Sequence, residues 1–223
     1  MEERKMRIQY YGHSCFLITT DSGMRILTDP CDPTTGYTLK NIRCDCVTVS
    51  HSHFDHSYTD AACGSPAILE SGADLKIGDM RIYTVKTFHD DKEGELRGEN
   101  AVFCFETDGL RFVHLGDFGE AELRDETAEA IGQPDILFIP VGGTFTVDAA
   151  GALAVAEKLN PKLLIPMHYM TDVLSFKIAG VTTFLKAAGT KWKKDILNLS
   201  HATVSKETLP EKRTILVLDY LKK

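Results

Sequence analysis

The chain has 223 residues, 43% of them hydrophobic, and a formal net charge of −7. That length suffices to bury a core in one domain spanning residues 1–223, while the acidic balance opposes docking onto a nucleic-acid backbone. No apolar run is long enough to span a bilayer, and Met1-Glu2-Glu3-Arg4-Lys5-Met6 leads into polar Arg7 and Gln9 rather than an apolar signal core, so a soluble, cytoplasmic protein is expected.

In chain order, strand-like runs at 7–11, 14–20 and 24–29, with Asp21-Ser22-Gly23 as a turn, predict an N-terminal meander. A short apolar run at 45–50 predicts a buried strand. Cys44 and Cys46 flank its start and with Cys31 could form a thiolate site; buried, reduced thiols are the expected state of all six cysteines. Further strands are expected at 80–88, 110–115, 135–140, 162–167 and 212–219. Helical spacing of Ala, Leu and Glu predicts helices at 121–131, 147–159 and 173–187. Asp148 and Asp172 are candidate caps, and Asn160-Pro161 and Gly189 candidate stops. The charge run 191–195 reads as a solvated face, and His201 as an exposed residue of a polar tail.

The strand at 45–50 empties into His51-Ser52-His53-Phe54-Asp55-His56, four metal-binding side chains in one turn. In extended backbone His51 and His53 point to one side and can reach one ion. Asp55 and His56 face elsewhere. A helix beginning at Ser57 would carry them to a neighbouring position, where a second ion could lie roughly 3.5–4 Å from the first.

This H-x-H-x-D-H run after a buried strand resembles the metallo-β-lactamase superfamily. The resemblance implies three further ligands in chain order: His89 in Thr87-Phe88-His89-Asp90-Asp91, Asp117 in Leu115-Gly116-Asp117-Phe118, and His168 in Ile165-Pro166-Met167-His168-Tyr169. Carried over, His51, His53 and His89 hold one ion, Asp55, His56 and His168 the other, and Asp117 bridges both. The segments Tyr11-Gly12-His13-Ser14-Cys15-Phe16-Leu17-Ile18, Thr28-Asp29-Pro30 and Pro140-Val141-Gly142-Gly143-Thr144-Phe145-Thr146 also resemble small metal-dependent hydrolases related to ascorbate-phosphate lactonases. The implied fold is α/β, an αββα sandwich of two mixed sheets with helices on both outer faces, and the run of predicted elements supports it. One departure is visible: Phe118 follows Asp117 where the family often has Thr.

The resemblance implies hydrolysis by a hydroxide held between two divalent ions, attacking an ester, lactone or phosphoester. Two such ions against Asp55, Asp117 and the hydroxide leave about one net positive charge, which favours a small anionic substrate. Zinc suits the histidine-rich site, and Mn2+ or Fe2+ could enter the carboxylate-bearing one. Alternative activities on the same fold are an RNA-processing nuclease, opposed by the net charge and the lack of room for an RNA-binding arm, and a mono-iron sulfur dioxygenase, opposed by the filled second site. A small-molecule partner is expected, with neither nucleic acid nor membrane.

Supporting roles follow with lower specificity. His13 could donate a proton to a leaving group at the site mouth, or be structural. Asp29 could orient a ligand histidine through its distal nitrogen, or cap a turn. His114 could support the site from the strand before Asp117, or be a satisfied core histidine. Gly142-Gly143 could bring backbone amides to the ions, with Thr144 and Tyr169 meeting the substrate.

Overall fold

Alternation along the first strands decides the layering. In a strand, successive side chains face opposite sides. Thus Phe16 and Ile18 enter one apolar cluster with Met6, Ile8 and Tyr10, while Cys15 and Leu17 enter another with Leu27 and Val47. The six-stranded sheet they build is therefore apolar on both faces. The structure is a computed structural model and describes residues 4–222.

In chain order the elements are β1 (Met6–Gly12), β2 (Cys15–Thr19), β3 (Arg25–Thr28), β4 (Ile42–Arg43), β5 (Cys46–Thr48), β6 (Ala62–Cys63), β7 (Ala67–Leu69), β8 (Asp74–Ile77), β9 (Met80–Phe88), β10 (Glu99–Thr107) and β11 (Leu110–His114). There follow α1 (Asp125–Ile131), β12 (Ile136–Pro140), α2 (Ala149–Leu159), β13 (Leu163–Met167), α3 (Val181–Ala187), β14 (Lys193–Ile196), β15 (His201–Val204) and β16 (Thr214–Val217). The two large sheets run β15-β1-β2-β3-β5-β7 and β14-β16-β13-β12-β11-β10-β9-β8. Both mix parallel and antiparallel pairs, giving the expected mixed-sheet sandwich. The inner cluster ties both sheets to residues of all three α-helices, including Ile131, Val155 and Phe184. On the far side of the six-stranded sheet, cover comes from loop residues Tyr37 and Leu39 and from Ala61 in a 3-10 turn (Thr59–Ala61), rather than from an α-helix.

Several expectations are corrected. No helix begins at Ser57; the chain makes one turn and then the short 3-10 segment, because His53's carbonyl accepts from the backbone of both His56 and Ser57 and from the Ser57 hydroxyl. The helix expected over 173–187 is confined to Val181–Ala187. Upstream, the amides of Ser175 and Ala179 bond sideways to Thr35 and Gly142, so the segment is a loop and Asp172 accepts from the Tyr220 hydroxyl instead of capping. Asp148 does cap α2, accepting from Ala150 and Gly151, and Asn160 ends that helix in the left-handed conformation. The run 191–195 feeds edge strand β14, whose lysines are exposed and guard an open edge. His201 pairs with Gln9 in β15 and is half-buried. Among the described residues no helix is long and apolar enough to cross a membrane.

Candidate metal centre

Strands β9, β11 and β13 run in the same direction: β9 is antiparallel to β10, β10 to β11, and β11, β12 and β13 are mutually parallel. Their carboxyl ends therefore share an edge and deliver His89, Asp117 and His168 to it. From the other sheet, parallel β3 and β5 deliver Asp29 and the His51–His56 loop. Loops at strand ends can carry polar groups that a packed sheet interior cannot.

Three sets of side chains bring potential ligand atoms within 4.8 Å of one another: His51, His53 and His89; His13, Asp55, His56 and His168; and His51, His56 and Asp117. Asp117 stands between the first two. Its Oδ1 lies 3.1 Å from His56 Nε2, and its Oδ2 lies 3.3 Å from the Nε2 atoms of both His89 and His168. Rings of the first set pack with centroids 4.6–5.1 Å apart.

These side chains fit divalent cations. Nε2 of His51, His56 and His168 and Oδ1 of Asp117 are buried without a hydrogen-bond partner. Buried polar atoms normally find one, so a cluster of orphaned lone pairs is the mark of a missing positive species. Charge points the same way. Burial alone would lower His56, but the carboxylates of Asp117 and Asp29 raise it well above its ordinary value. Burial would raise Asp117, yet His168 and His56 hold it well below the carboxylate range. Burial lowers His51 to about 3 and His89 to about 4, keeping both neutral and able to donate lone pairs. Imidazole with interleaved carboxylate is a donor set suited to zinc, with manganese or iron as competitors.

A hydrogen-bonded layer fixes which nitrogen faces inward. Asp29 is fully buried and accepts from the Ser50 amide at 2.9 Å, the Ser50 hydroxyl at 2.6 Å and His56 Nδ1 at 2.8 Å. With its only hydroxyl proton given to Asp29, Ser50 accepts from His51 Nδ1 at 3.0 Å. Both histidines thereby turn Nε2 inward, and the ligand histidine that Asp29 contacts is His56. Asn100 accepts from the Asp117 amide at 2.9 Å and donates to Thr87 and Leu115. Gly116 has φ +55°, and a Cβ there would sit 2.3 Å from Asn100 Oδ1.

A family model described as the beta-lactamase superfamily domain matches residues 7–168. The chain belongs to the beta-lactamase superfamily. A solved structure from Thermotoga maritima, described as a candidate zinc-dependent hydrolase of the metallo-β-lactamase superfamily, is 33% identical with a TM-score of 0.76, covering 96% of this chain and 98% of that one. Curated relatives named UPF0173 metal-dependent hydrolase include one from Archaeoglobus fulgidus, 28% identical over 74% of this chain and 84% of its own length. Another, from Anaeromyxobacter, is 26% identical over 82% of this chain and 81% of its own.

Within this superfamily fold, several sequence expectations change. His13 is not at the mouth: at φ +55° its ring turns inward, fully buried, and Nε2 lies 3.1 Å from Asp55 Oδ2. Burial, reinforced by His168, lowers it to about 4. Tyr169 is buried in the core. His168 adopts φ +50°, and the next side chain turns into the core beside Tyr10, with its hydroxyl donating to the Leu218 carbonyl. Gly142 makes its close approach to the His168 carbonyl, 2.2 Å from where a Cβ would stand, and the Gly143 amide donates to the Val147 carbonyl. Thr144 is exposed on a surface depression it shares with Arg97 and Phe145. His114 stands behind the cluster: it donates to the Ser14 carbonyl, accepts from the Gly116 amide in the turn before Asp117, and its Nδ1 lies 4.0 Å from Asp29 Oδ2. Phe118 is buried in the core and its carbonyl accepts from Val147. All six cysteines are free. Ser50 and Asn100 went unremarked in the sequence; the legible signal was a polar residue at the mouth of each apolar strand run.

Proposed function

We propose that the protein is a metal-dependent hydrolase in which His51, His53 and His89 hold one divalent ion, Asp55, His56 and His168 hold a second, and Asp117 spans the two. The observation that carries this reading is the position of the Asp117 carboxylate, with one oxygen toward His56 and the other toward His89 and His168. The name metal-dependent hydrolase borne by relatives over most of their length supports the reaction class. Divalent ions held by these residues would supply an activated water near neutral pH and Lewis acidity toward the bond to be cleaved. The substrate class we favour is a small anionic ester, lactone or phosphoester. The two complete sets favour it over single-iron sulfur oxidation, and the net charge disfavours a nuclease. Free thiols in all six cysteines support a reducing, cytoplasmic setting.

The chain's own residues hold and orient. Asp29 and Ser50 accept from Nδ1 of His56 and His51, leaving Nε2 of each as the nitrogen that would face an ion. Burial alone would raise Asp55, but the hydrogen bond from His13 and the field of His56 outweigh it and keep the carboxylate ionised. His13 thus acts by holding Asp55; lowered to about 4, it has no surplus proton to give at neutral pH.

The test is a screen of metal-loaded protein against lactones, phosphodiesters, thioesters and sugar phosphates, with Asp117→Ala as the blank. Loss of metal and turnover together in Asp117→Ala is expected. Full turnover by metal-free protein would overturn the reading.

A further inference from the structure

The loop after His89 is built around one side chain. Asp90 is buried, and its carboxylate accepts four backbone amides: Lys92 at 2.8 Å, Gly94 at 2.9 Å, Leu96 at 3.0 Å and Arg97 at 2.7 Å. The loop is closed at its base by the His89 amide donating to the Gly98 carbonyl at 3.0 Å. Arg97 is therefore mounted at a fixed point one residue from the backbone that positions His89.

Its guanidinium is uncommitted. Among the described residues no carboxylate lies within ion-pair distance of Arg97, although acidic groups surround it. Asp90 is spent on amides, Asp91 pairs with Lys92, Glu120 with Arg124, Glu99 with Lys86, and Asp148 caps α2. Arg97 lines a cavity of about 360 Å³ together with His51 and His53. Its guanidinium carbon lies 5.8 Å from the ring centroid of Phe145. Phe145 in turn meets Phe176 edge-on at 5.8 Å, and Phe176 meets His13 at 5.6 Å. Ring contacts thus run from Arg97 through Phe145 and Phe176 to the buried His13 beside Asp55. Phe54, Leu96 and Met170, all exposed, stand on the same site-bearing loops.

An unpaired guanidinium fixed beside a metal-ligating cavity is a bidentate receptor for a carboxylate or phosphate oxygen pair. Exposed Leu96 and Phe145 next to it favour an organic rather than a bare inorganic anion. Resting on the hydrolase reading above, we propose that Arg97 is the specificity-determining residue of this site: it takes the anionic group of the substrate while Phe145 packs against an apolar or aromatic body attached to it. Asp90 fixes the backbone from which Arg97 projects, so the loop itself has little order to gain on binding.

The experiment has two arms. Benzoate, an anion on an aromatic body, is titrated into metal-free and zinc-loaded protein and followed by ligand-observed NMR. Saturable binding to the wild type in both forms is expected. Arg97→Gln should weaken it about tenfold or more, Arg97→Lys should recover part of the loss, and Phe145→Ala should weaken it without changing the preference for anions. Arg97 is half-exposed, so these variants should melt with the wild type. In the second arm, zinc-loaded protein is assayed on 4-acetoxybenzoate and on neutral phenyl acetate, and Arg97→Gln should raise KM for the anionic ester alone. Absence of saturable benzoate binding, or equal binding by Arg97→Gln, overturns the assignment whatever the ester arm gives. Benzoate binding that depends on Arg97 with neither ester cleaved by loaded wild type leaves the assignment standing and counts against the hydrolase reading instead.

Discussion

Replacing Asp29 by Asn changes one buried atom and should disable the neighbouring metal set without touching it. In the native arrangement Oδ1 accepts from the Ser50 amide, and Oδ2 accepts from both the Ser50 hydroxyl and His56 Nδ1. An asparagine has one oxygen for these three donors. If the oxygen stays toward the Ser50 amide, the new NH2 faces His56 Nδ1, which must then become the acceptor and move its proton to Nε2, the nitrogen that faces Asp117. If the amide flips, NH2 meets the Ser50 amide head-on. Either way a charged buried hydrogen bond is lost, worth roughly 1.5–3 kcal/mol. At roughly 2–4 °C per kcal/mol for a domain of this size, Tm of the metal-free protein should fall by several degrees. Metal affinity should fall about 10–100-fold. Competition with a chromophoric chelator reads the affinity, and the weaker of two binding steps should be the one that shifts. An unchanged affinity with an unchanged Tm would refute the claim that Asp29 sets the His56 tautomer.

Other consequences are open to simple tests. Gly116→Ala places a methyl at 2.3 Å from Asn100 Oδ1 with φ at +55°, so it should cost both Tm and metal content, whereas Gly23→Ala, with a positive φ but no atom within 4 Å, should cost Tm alone. In native protein the buried thiols of Cys15, Cys31, Cys46 and Cys104 are pushed up by burial, Cys31 to about 11 and Cys46 and Cys104 to about 12, so half-buried Cys63 should react first with a disulfide reagent, and simultaneous reaction of all six would contradict this burial. The metal-free protein should lose stability in mild acid. Burial lowers His13 and His89 to about 4 and His51 to about 3, so protons favour the unfolded chain. Their stabilisation is complete above about pH 6.5, the unfolded value, and is lost as pH falls from there toward their folded values. His56, which is raised, works in the opposite sense. Burial lowers His114 as well, and the stabilisation from His56 is already complete below about pH 6.5, so Tm of metal-free protein should drop between about pH 6.5 and about pH 4.5, and a flat or rising Tm there would contradict the assigned burial.

The candidate site was more legible in the sequence than the fold around it. The run from His51 to His56 carries its meaning in local spacing, whereas His89, Asp117 and His168 were picked out only through the family resemblance, each at the end of an apolar run. Strand β10 escaped because it is buried on both faces from Asn100 to Phe105 and shows no alternation. The loop at 173–180 escaped because its helical spacing is overruled by lateral backbone bonds to Thr35 and Gly142. Tyr169 was misplaced because a left-handed residue, His168, reverses the side-chain sense that adjacency implies. The role of Asp90 was hidden because a carboxylate accepting four amides of its own loop leaves no spacing pattern.

The central claim is that two ions lie on either side of Asp117. Anomalous diffraction from crystals of the zinc-loaded protein tests it most directly. Two peaks are predicted, one among His51, His53 and His89 and one among Asp55, His56 and His168, with the Asp117 carboxylate between them. A single peak with the second set empty at saturating zinc would contradict it.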